Sequence, residues 1–264
     1  MIKDFIPVGQ GEAEADDIRF VETYWTEKLS GDVERAVSAD LGSRDEYRVM
    51  SAYLDQRPRG APVLDGGCGA GEWTVFFHKL GYDVTGLDIS QELIARLGRL
   101  FPDCSWMRGD LRSTGLPEAS VDILFSWGAF EHFEVGLGPC LTEARRLLKP
   151  GGLLFFSVPF ANGRVRRIRG GSDVSGSAPP GKRFYQWRCT EDDLRADLGA
   201  AGFEVLKIVP IHKLDGLRRM LNHDFGISLA AVPRLEHALL RCLRPFVPTA
   251  YVAHMIMAAG RKSG

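Results

Sequence analysis

The pattern of hydrophobic and polar positions changes near Pro62. From Ile18 to about Val37, apolar and aromatic residues recur at helical spacing, and a second helix is predicted over Asp45–Leu54. The first 17 residues lack this periodicity, which predicts a loose tail. Beyond Pro62, short and almost entirely apolar runs alternate with amphipathic stretches. This alternation predicts a parallel sheet with helices on both faces.

Seven strands and four main helices follow from that alternation. The predicted strands are Pro62–Gly66, Asp83–Asp88, Ser105–Arg108, Val121–Ser126, Leu153–Val158, Phe203–Val209 and Ala253–Ala259. The predicted helices are Glu72–Leu80, Ser90 to about Leu100, Cys140–Leu148 and Glu191–Ala201, the last capped by Thr190.

Two stretches interrupt the alternation, at about 160–189 and 211–252. Each follows the carboxyl end of a predicted strand, the edge where doubly wound sheets bind ligands. We therefore interpret both as insertions that cover a substrate. The predicted organisation is a tail with lid helices over residues 1–54, followed by one α/β domain over 55–264 that carries the two insertions.

A glycine-dense turn follows the first of these strands, in Val63-Leu64-Asp65-Gly66-Gly67-Cys68-Gly69-Ala70-Gly71. Glycine tolerates positive φ and lets the backbone approach a ligand at a helix N-terminus. The spacing departs from the dinucleotide pattern Gly-x-Gly-x-x-Gly, because Glu72 stands where its last glycine would fall. Asp88 ends the next strand, 23 residues after Asp65. An acid there accepts hydrogen bonds from both ribose hydroxyls in nucleotide-binding folds, although a plain surface acid is the alternative.

Several further motifs follow in order. They are Met107-Arg108-Gly109-Asp110-Leu111, the stretch Leu116–Gly128, Ala129-Phe130-Glu131-His132-Phe133 and Lys149-Pro150-Gly151-Gly152. Together with the glycine turn they resemble class I S-adenosylmethionine-dependent methyltransferases, in particular small-molecule enzymes of the type 11-like group. The resemblance covers about residues 60–160 closely and returns over Thr190–Val209 and in the last strand. It implies a Rossmann-like doubly wound sheet of seven strands, in the order 3-2-1-4-5-7-6 with strand seven antiparallel.

The resemblance also implies the ligand and its contacts. The cofactor would be S-adenosylmethionine, leaving as S-adenosylhomocysteine, and no metal is expected. Asp110 would accept from the adenine amine and Leu111 would offer its backbone N–H, although Asp110 could simply form a turn. Tyr24 would touch the methionine part, or else belong to the core with Trp25. The implied cofactor-binding set is Asp65, Gly66, Gly67, Cys68, Gly69, Gly71, Asp88, Ile89, Asp110, Leu111, Ser126, Trp127 and Tyr24.

Methyl transfer from a sulfonium needs alignment and exclusion of water, and it needs a base only if the acceptor must lose a proton. His132 is the predicted catalytic residue, since it follows the strand where the methyl group should emerge. A structural role for His132 and a catalytic role for His212 are the alternatives.

Charge is unevenly distributed along the chain, although the net charge is −1. Residues 1–160 carry 16 Lys and Arg against 25 Asp and Glu, whereas residues 161–264 carry 17 against 9. The second part is therefore predicted either to meet an anionic ligand or simply to attract the first part. The segment 161–189 concentrates the excess in Arg164, Arg166, Arg167, Arg169, Lys182, Arg183 and Arg188, against Asp173. This excess of basic residues is compatible with capture of a phosphate or carboxylate group, and also with a solvated basic loop.

Other features of the sequence indicate the cellular location of the protein. Five scattered cysteines form no Cys-x-x-Cys pair, the chain opens without a signal-peptide pattern, and no apolar run reaches the roughly 18 residues of a membrane span. A cytoplasmic protein is predicted, with at most peripheral membrane contact through the Leu- and Arg-containing helices of 211–252.

The predicted function is O- or N-methylation of a small-molecule, sugar- or lipid-linked metabolite. An RNA or protein methyltransferase and a non-catalytic cofactor-binding scaffold are the alternatives. Nucleic acid is not an expected partner, because the net charge is near zero and no RNA-binding module is evident. An NAD(P) dehydrogenase is disfavoured by the missing third glycine and by Asp110.

Overall fold

The computed structural model describes residues 1–8, 17–29, 31, 33–37, 40–54, 57–169, 176 and 178–264. Its strands are β1 (Ile2–Pro7), β2 (Pro62–Gly66), β3 (Asp83–Asp88), β4 (Ser105–Arg108), β5 (Val121–Trp127), β6 (Leu148–Pro159), β7 (Lys182–Arg188), β8 (Phe203–Ile211) and β9 (Met255–Lys262).

The helices lie between these strands and in a cap. They are α1 (Asp17–Leu29), α2 (Val33–Val37), α3 (Asp45–Leu54), α4 (Glu72–Lys79), α5 (Gln91–Leu100), α6 (Gly138–Leu147), α7 (Gly163–Ile168), α8 (Glu191–Ala200), α9 (Lys213–Asp224), α10 (Pro233–Leu243) and α11 (Thr249–Val252). Short 3₁₀ turns occupy Leu41–Ser43 and Phe130–His132.

The main sheet confirms the predicted topology. Seven strands lie in the order β4-β3-β2-β5-β6-β9-β8, and β9 runs antiparallel to both of its neighbours. Counted along the chain from β2, this is the order 3-2-1-4-5-7-6. Successive strands are added to one side of β2 up to β4 and then to its other side from β5 onward. This change in strand order creates a crevice at the carboxyl ends of β2 and β5.

Alternating residues of the central strands fill two separate cores. Leu64, Leu124 and Phe156 pack on one face of the sheet, whereas Val63 and Phe125 pack on the other. Because both faces are covered, the strands have to be apolar throughout, which is why they read as continuous apolar runs in the sequence.

The N-terminal tail corrects the sequence prediction. Residues 9–16 lie outside the described residues, but Ile2–Pro7 forms β1, which pairs antiparallel with β7 from Ile2↔Arg188 to Pro7↔Lys182. Polar residues in its middle hide the strand in the sequence. Lys3 is buried because its Nζ donates to Glu134 Oε1 at 2.7 Å and lies 5.2 Å from the Trp187 ring centroid.

The two insertions hold more regular structure than the pattern predicts. The first contains α7 and β7, although 170–175 and 177, including Asp173, lie outside the described residues. The second folds into α9, α10 and α11, which pack together through Leu217, Leu221, Leu240 and Val252. The helix predicted from Ile18 to Val37 is two helices, α1 and α2. No helix in the described ranges is both long and apolar enough to cross a bilayer.

Gly216 lets α9 pack against the end of α11. A Cβ on Gly216 would lie 1.7 Å from the carbonyl oxygen of Val252, a backbone atom that cannot rotate away. We therefore expect Gly216→Ala to lower the free energy of unfolding by at least about 2 kcal/mol through overpacking. Gly199→Ala, in α8, meets nothing within 4 Å. It should be neutral or stabilising, because alanine favours helix more than glycine does. Chemical denaturation of the two variants checks this; equal stabilities would contradict it.

Candidate functional site

A cavity of about 740 Å³ lies over the carboxyl ends of β2, β3 and β5. Its floor is the glycine turn after β2 together with Asp88 and Trp127. Its walls come from α1, from β1 and β7, and from the start of α9. The cap elements therefore enclose the crevice that the sheet topology creates.

The glycine turn is shaped by left-handed backbone at alternate residues. Gly67, Gly69 and Gly71 have φ of +74°, +53° and +76°. The space is also closed, since a Cβ on Gly67 would lie 2.6 Å from Cβ of Ala129. Gly67 and Cys68 donate their backbone N–H groups to Leu87 O at 2.7 and 2.9 Å, which fixes the turn to the end of β3. Only glycine satisfies both the backbone and the packing requirement at these positions.

Asp88 is a buried carboxylate that braces the same turn. Its Oδ2 accepts from the Gly69 N–H and its Oδ1 accepts from the Ser90 N–H, each at 2.9 Å. Burial raises its pKa despite these bonds. Each oxygen retains a lone pair on the cavity side, which suits hydroxyl donors.

Asp65 is buried at the end of β2. Thr74 Oγ1 donates to its Oδ2 at 2.7 Å, and the residue is 2% exposed. Burial raises the pKa of Asp65 to about 8, with Glu72 and Asp88 adding repulsion. A cationic group placed beside Asp65 would lower this pKa and be held by the resulting carboxylate.

The structure places nine of the predicted site residues on the cavity wall. They are Asp65, Gly67, Cys68, Gly69, Asp88, Ile89, Leu111, Trp127 and His132. Gly66, Gly71, Asp110, Ser126 and Tyr24 are not among the residues that line the cavity. Asp110 is bound by Arg112, with Nη2 to Oδ2 at 2.7 Å. Burial raises the pKa of Asp110, but the hydrogen bonds and charge of Arg112 outweigh it, so the net shift is downward.

Aromatic rings form the wall beside His132. The Trp25 ring centroid lies 4.9 Å from that of His132, and Tyr185 lies 5.3 Å from His132. The Tyr24 ring centroid lies 5.5 Å from that of Tyr185. In the segment Phe184-Tyr185-Gln186-Trp187 of β7, Tyr185 and Gln186 line the cavity, whereas Phe184 and Trp187 pack into the core.

Comparison with known proteins identifies the part of the chain that carries the glycine turn. A family model described as Methyltransferase domain matches residues 63–152. A protein of Mycolicibacterium smegmatis named as a probable S-adenosylmethionine-dependent methyltransferase is 28% identical over 71% of this chain and 70% of its own length. These matches, together with the sheet order, support a class I S-adenosylmethionine-dependent methyltransferase whose methyltransferase domain spans residues 63–152.

Two more matches fit this methyltransferase. A malonyl-[acyl-carrier protein] O-methyltransferase of Yersinia pestis is 37% identical over 46% of this chain and 44% of its own length. The crystal structure of a Burkholderia thailandensis 1,6-didemethyltoxoflavin-N1-methyltransferase, with S-adenosylhomocysteine bound, superimposes with a TM-score of 0.58 at 20% identity. It covers 99% of this chain and 96% of that one, and it shows the shared fold.

The cavity floor of the methyltransferase fits its cofactor. S-adenosylmethionine supplies a methyl group that its sulfonium has already activated. Buried Asp65 suits a positive charge, and Asp88 offers oxygens to hydroxyls. Trp127 Nε1 is buried on the wall without a hydrogen-bond partner in the described part of the chain, so it is a donor left for a ligand. Among the described residues, no cluster of three His, Cys, Asp or Glu is placed to hold a metal.

His132 and Glu131 bring two titratable side chains to the middle of the methyltransferase cavity. His132 Nδ1 lies 2.8 Å from the Tyr185 carbonyl oxygen, so Nδ1 carries the proton of the neutral ring and Nε2 keeps its lone pair. Burial lowers the pKa of His132 to about 4. Glu131 is 2% exposed, its Oε1 lies 3.9 Å from His132 Nε2, and burial raises its pKa to about 8.

The raised pKa of Glu131 predicts a pH-dependent stability. Between about pH 4.5 and 8 the folded protein keeps Glu131 protonated while the unfolded chain ionises it, so stability falls as pH rises. This contribution is at most about 5 kcal/mol. We expect Glu131→Gln to remove it, so that denaturation midpoints drop less from pH 5 to 8. Exposed Glu92→Gln is the control. Parallel curves for wild type and Glu131→Gln would contradict the prediction.

Sequence reasoning missed several cavity residues of the enzyme. They are Asp4, Arg44, Glu46, Glu131, Arg219 and His254. Glu131 stands in a recognised motif, so a buried acid beside His132 could have been found there.

His212, the alternative catalytic residue, also lines the cavity. It adopts left-handed backbone, with φ +57°. Asp45 Oδ2 accepts its N–H at 2.9 Å, and its Nε2 pairs with Glu46 Oε1 at 2.8 Å. That pairing raises the pKa of His212 against the effect of burial.

Proposed function

We propose that this methyltransferase transfers methyl groups to an oxygen or nitrogen of a small-molecule, sugar- or lipid-linked metabolite. The observation that carries the proposal is the single cavity with two chemically different ends. One end holds Asp65, Asp88 and the glycine turn, and the other is walled by β7 and α9. Its volume of about 740 Å³ lies within the roughly 300–1,000 Å³ typical of small-molecule sites.

The cap favours a small acceptor over a folded macromolecule. Strands β1 and β7 and helices α1 and α9 line the cavity beyond the cofactor end. An RNA base or a protein side chain belongs to a large partner, which would have to approach past these cap elements to place that group in the cavity. The Yersinia pestis relative, by its name, methylates an oxygen of a carrier-linked malonyl group, but the match spans under half of either chain. The acceptor class is therefore inferred from the cavity.

We assign roles to the site residues as part of this proposal. Asp88 accepts from the ribose hydroxyls, Leu111 and the turn hold the adenosine part, and Asp65 faces the positive charge of the cofactor. Asp110 and Tyr24, which do not line the cavity, position Arg112 and Tyr185. His132 Nε2 receives the acceptor proton. A base of low pKa suffices there because an oxygen or nitrogen becomes strongly acidic as it gains the methyl group.

The test is transfer of labelled methyl from S-adenosylmethionine. The purified protein is incubated with labelled cofactor and extract of its source cells, and label is measured in lipid, small-molecule, nucleic-acid and protein fractions. We expect label in the small-molecule or lipid fraction. Label confined to RNA or protein would contradict the acceptor class. Cofactor binding by calorimetry without transfer to any fraction would favour a binding scaffold. A cytoplasmic location stays a prediction.

A further inference from the structure

Three arginines from separate elements line the end of the cavity away from the glycine turn. Arg169 follows α7, Arg188 ends β7, and Arg219 lies in α9. Asp4 of β1 forms salt bridges with Arg169 and with Arg188, whose Nε lies 2.7 Å from Asp4 Oδ2. Arg219 makes no hydrogen bond or ion pair with the residues that the structure describes. In the described part of the chain, Asp4 is thus shared by Arg169 and Arg188, while Arg219 adds a further guanidinium group to the cavity wall.

The other titratable groups at this end do not supply the missing negative charge. Glu46 is engaged by His212 at 2.8 Å, so that pair is balanced when His212 is protonated. Glu131 is buried and its pKa is raised to about 8, so it is mainly uncharged at neutral pH. His254 is neutral, since its pKa is lowered to about 4. Among the described residues, Arg219 is therefore left without a compensating carboxylate.

The local pKa shifts report the same excess of positive charge. Burial lowers the pKa of His254, and Arg219, Arg188 and His212 lower it further. Burial also lowers the pKa of Arg188; Asp4 opposes the shift, whereas Arg169 and Arg219 add to it. Uncompensated charge in a half-buried site is costly, and an anionic ligand would relieve it.

We propose that Arg188 and Arg219 form a subsite for an oxyanion, a carboxylate or phosphate group carried by the acceptor. Arginine suits this role because its planar donors match the oxygens of both groups. Arg188 lies three residues after Tyr185, whose carbonyl oxygen holds His132. Because Arg188, Arg219 and His132 line the same cavity, an oxyanion held by the two arginines would anchor the acceptor in the cavity that contains His132. Because the anion is part of the acceptor, the subsite rests on the proposed function.

Neighbouring arginines of α9 provide a matched test. Arg218 points away from the cavity, to Asp215 Oδ1 at 2.6 Å and Glu236 Oε2 at 3.0 Å. Inorganic phosphate and acetate are titrated into wild type, Arg219→Gln and Arg218→Gln, with calorimetry and the fluorescence of Trp25 and Trp127 as readouts. We expect wild type and Arg218→Gln to bind one of the anions equally. Arg219→Gln should bind it about tenfold more weakly, as expected for a lost charge-assisted hydrogen bond. Thermal unfolding checks that each variant is folded.

Each outcome bears on the subsite separately from the methyl transfer. Tighter binding of phosphate than acetate assigns a phosphorylated acceptor, and the reverse assigns a carboxylate. Equal affinities in both variants, or no anion binding by wild type, would overturn the subsite. Methyl transfer to a small molecule without anion binding keeps the proposed function and rejects the subsite. Anion binding that depends on Arg219, without methyl transfer to a small molecule, keeps the subsite and rejects the proposed function.

Discussion

Replacing His132 by alanine is expected to reduce turnover by about 100-fold or more while leaving the affinity for S-adenosylmethionine nearly unchanged. His132 Nδ1 is held by the Tyr185 carbonyl oxygen, so the ring presents Nε2 as a proton acceptor. Its pKa of about 4 keeps it unprotonated at neutral pH. The contribution of His132 to the rate should therefore be constant above about pH 5 and be lost below it. Initial rates of S-adenosylhomocysteine formation with saturating acceptor measure the effect.

Two further variants separate catalysis from packing. His132→Phe keeps a ring against Trp25 and Tyr185, which lie 4.9 and 5.3 Å from the imidazole, but removes both nitrogens. It should be as slow as the alanine variant. Glu131→Gln should retain most of the rate, because it leaves Nε2 in place. A slow Glu131→Gln with a normal His132→Phe would move the proton-accepting role to Glu131, and the rate would then rise through about pH 8.

Replacing Asp88 by alanine is expected to weaken cofactor binding by about 1.5–3 kcal/mol, or roughly 10- to 150-fold in Kd. The variant removes the proposed acceptor for the ribose hydroxyls. It also releases the backbone N–H groups of Gly69 and Ser90, which Asp88 holds at 2.9 Å each. The loss should therefore lie toward the upper end of that range. Calorimetric titration with S-adenosylhomocysteine gives Kd directly.

Asp83 supplies the control for Asp88. It begins the same strand, β3, at the opposite and exposed end. Asp83→Ala should bind the cofactor as wild type does, so a general effect on the strand can be recognised. An unchanged Kd in Asp88→Ala, with a folded protein by thermal unfolding, would remove Asp88 from the cofactor site.

The sequence by itself determined the main sheet and the floor of the cavity. Strands β2, β3 and β4 have the predicted bounds, because each of them ends at a turn whose residues are locally diagnostic. The glycine turn was readable for the same reason, since positive φ at Gly67, Gly69 and Gly71 is a local requirement. Four motifs in order identified the family. These signals depend on neighbouring residues only, so the sequence shows them directly.

Only the tertiary structure decided the far end of the cavity. Strand β1 forms because residues 2–7 meet residues 182–188, a pairing that no local pattern encodes. That pairing brings Asp4 to Arg188, and α9 then adds Arg219 to the same wall. Of the seven basic residues in the segment 161–189, only Arg169 and Arg188 face the cavity. The pKa values of Glu131 and His132 were equally hidden, since they depend on how much water the folded chain removes from each group.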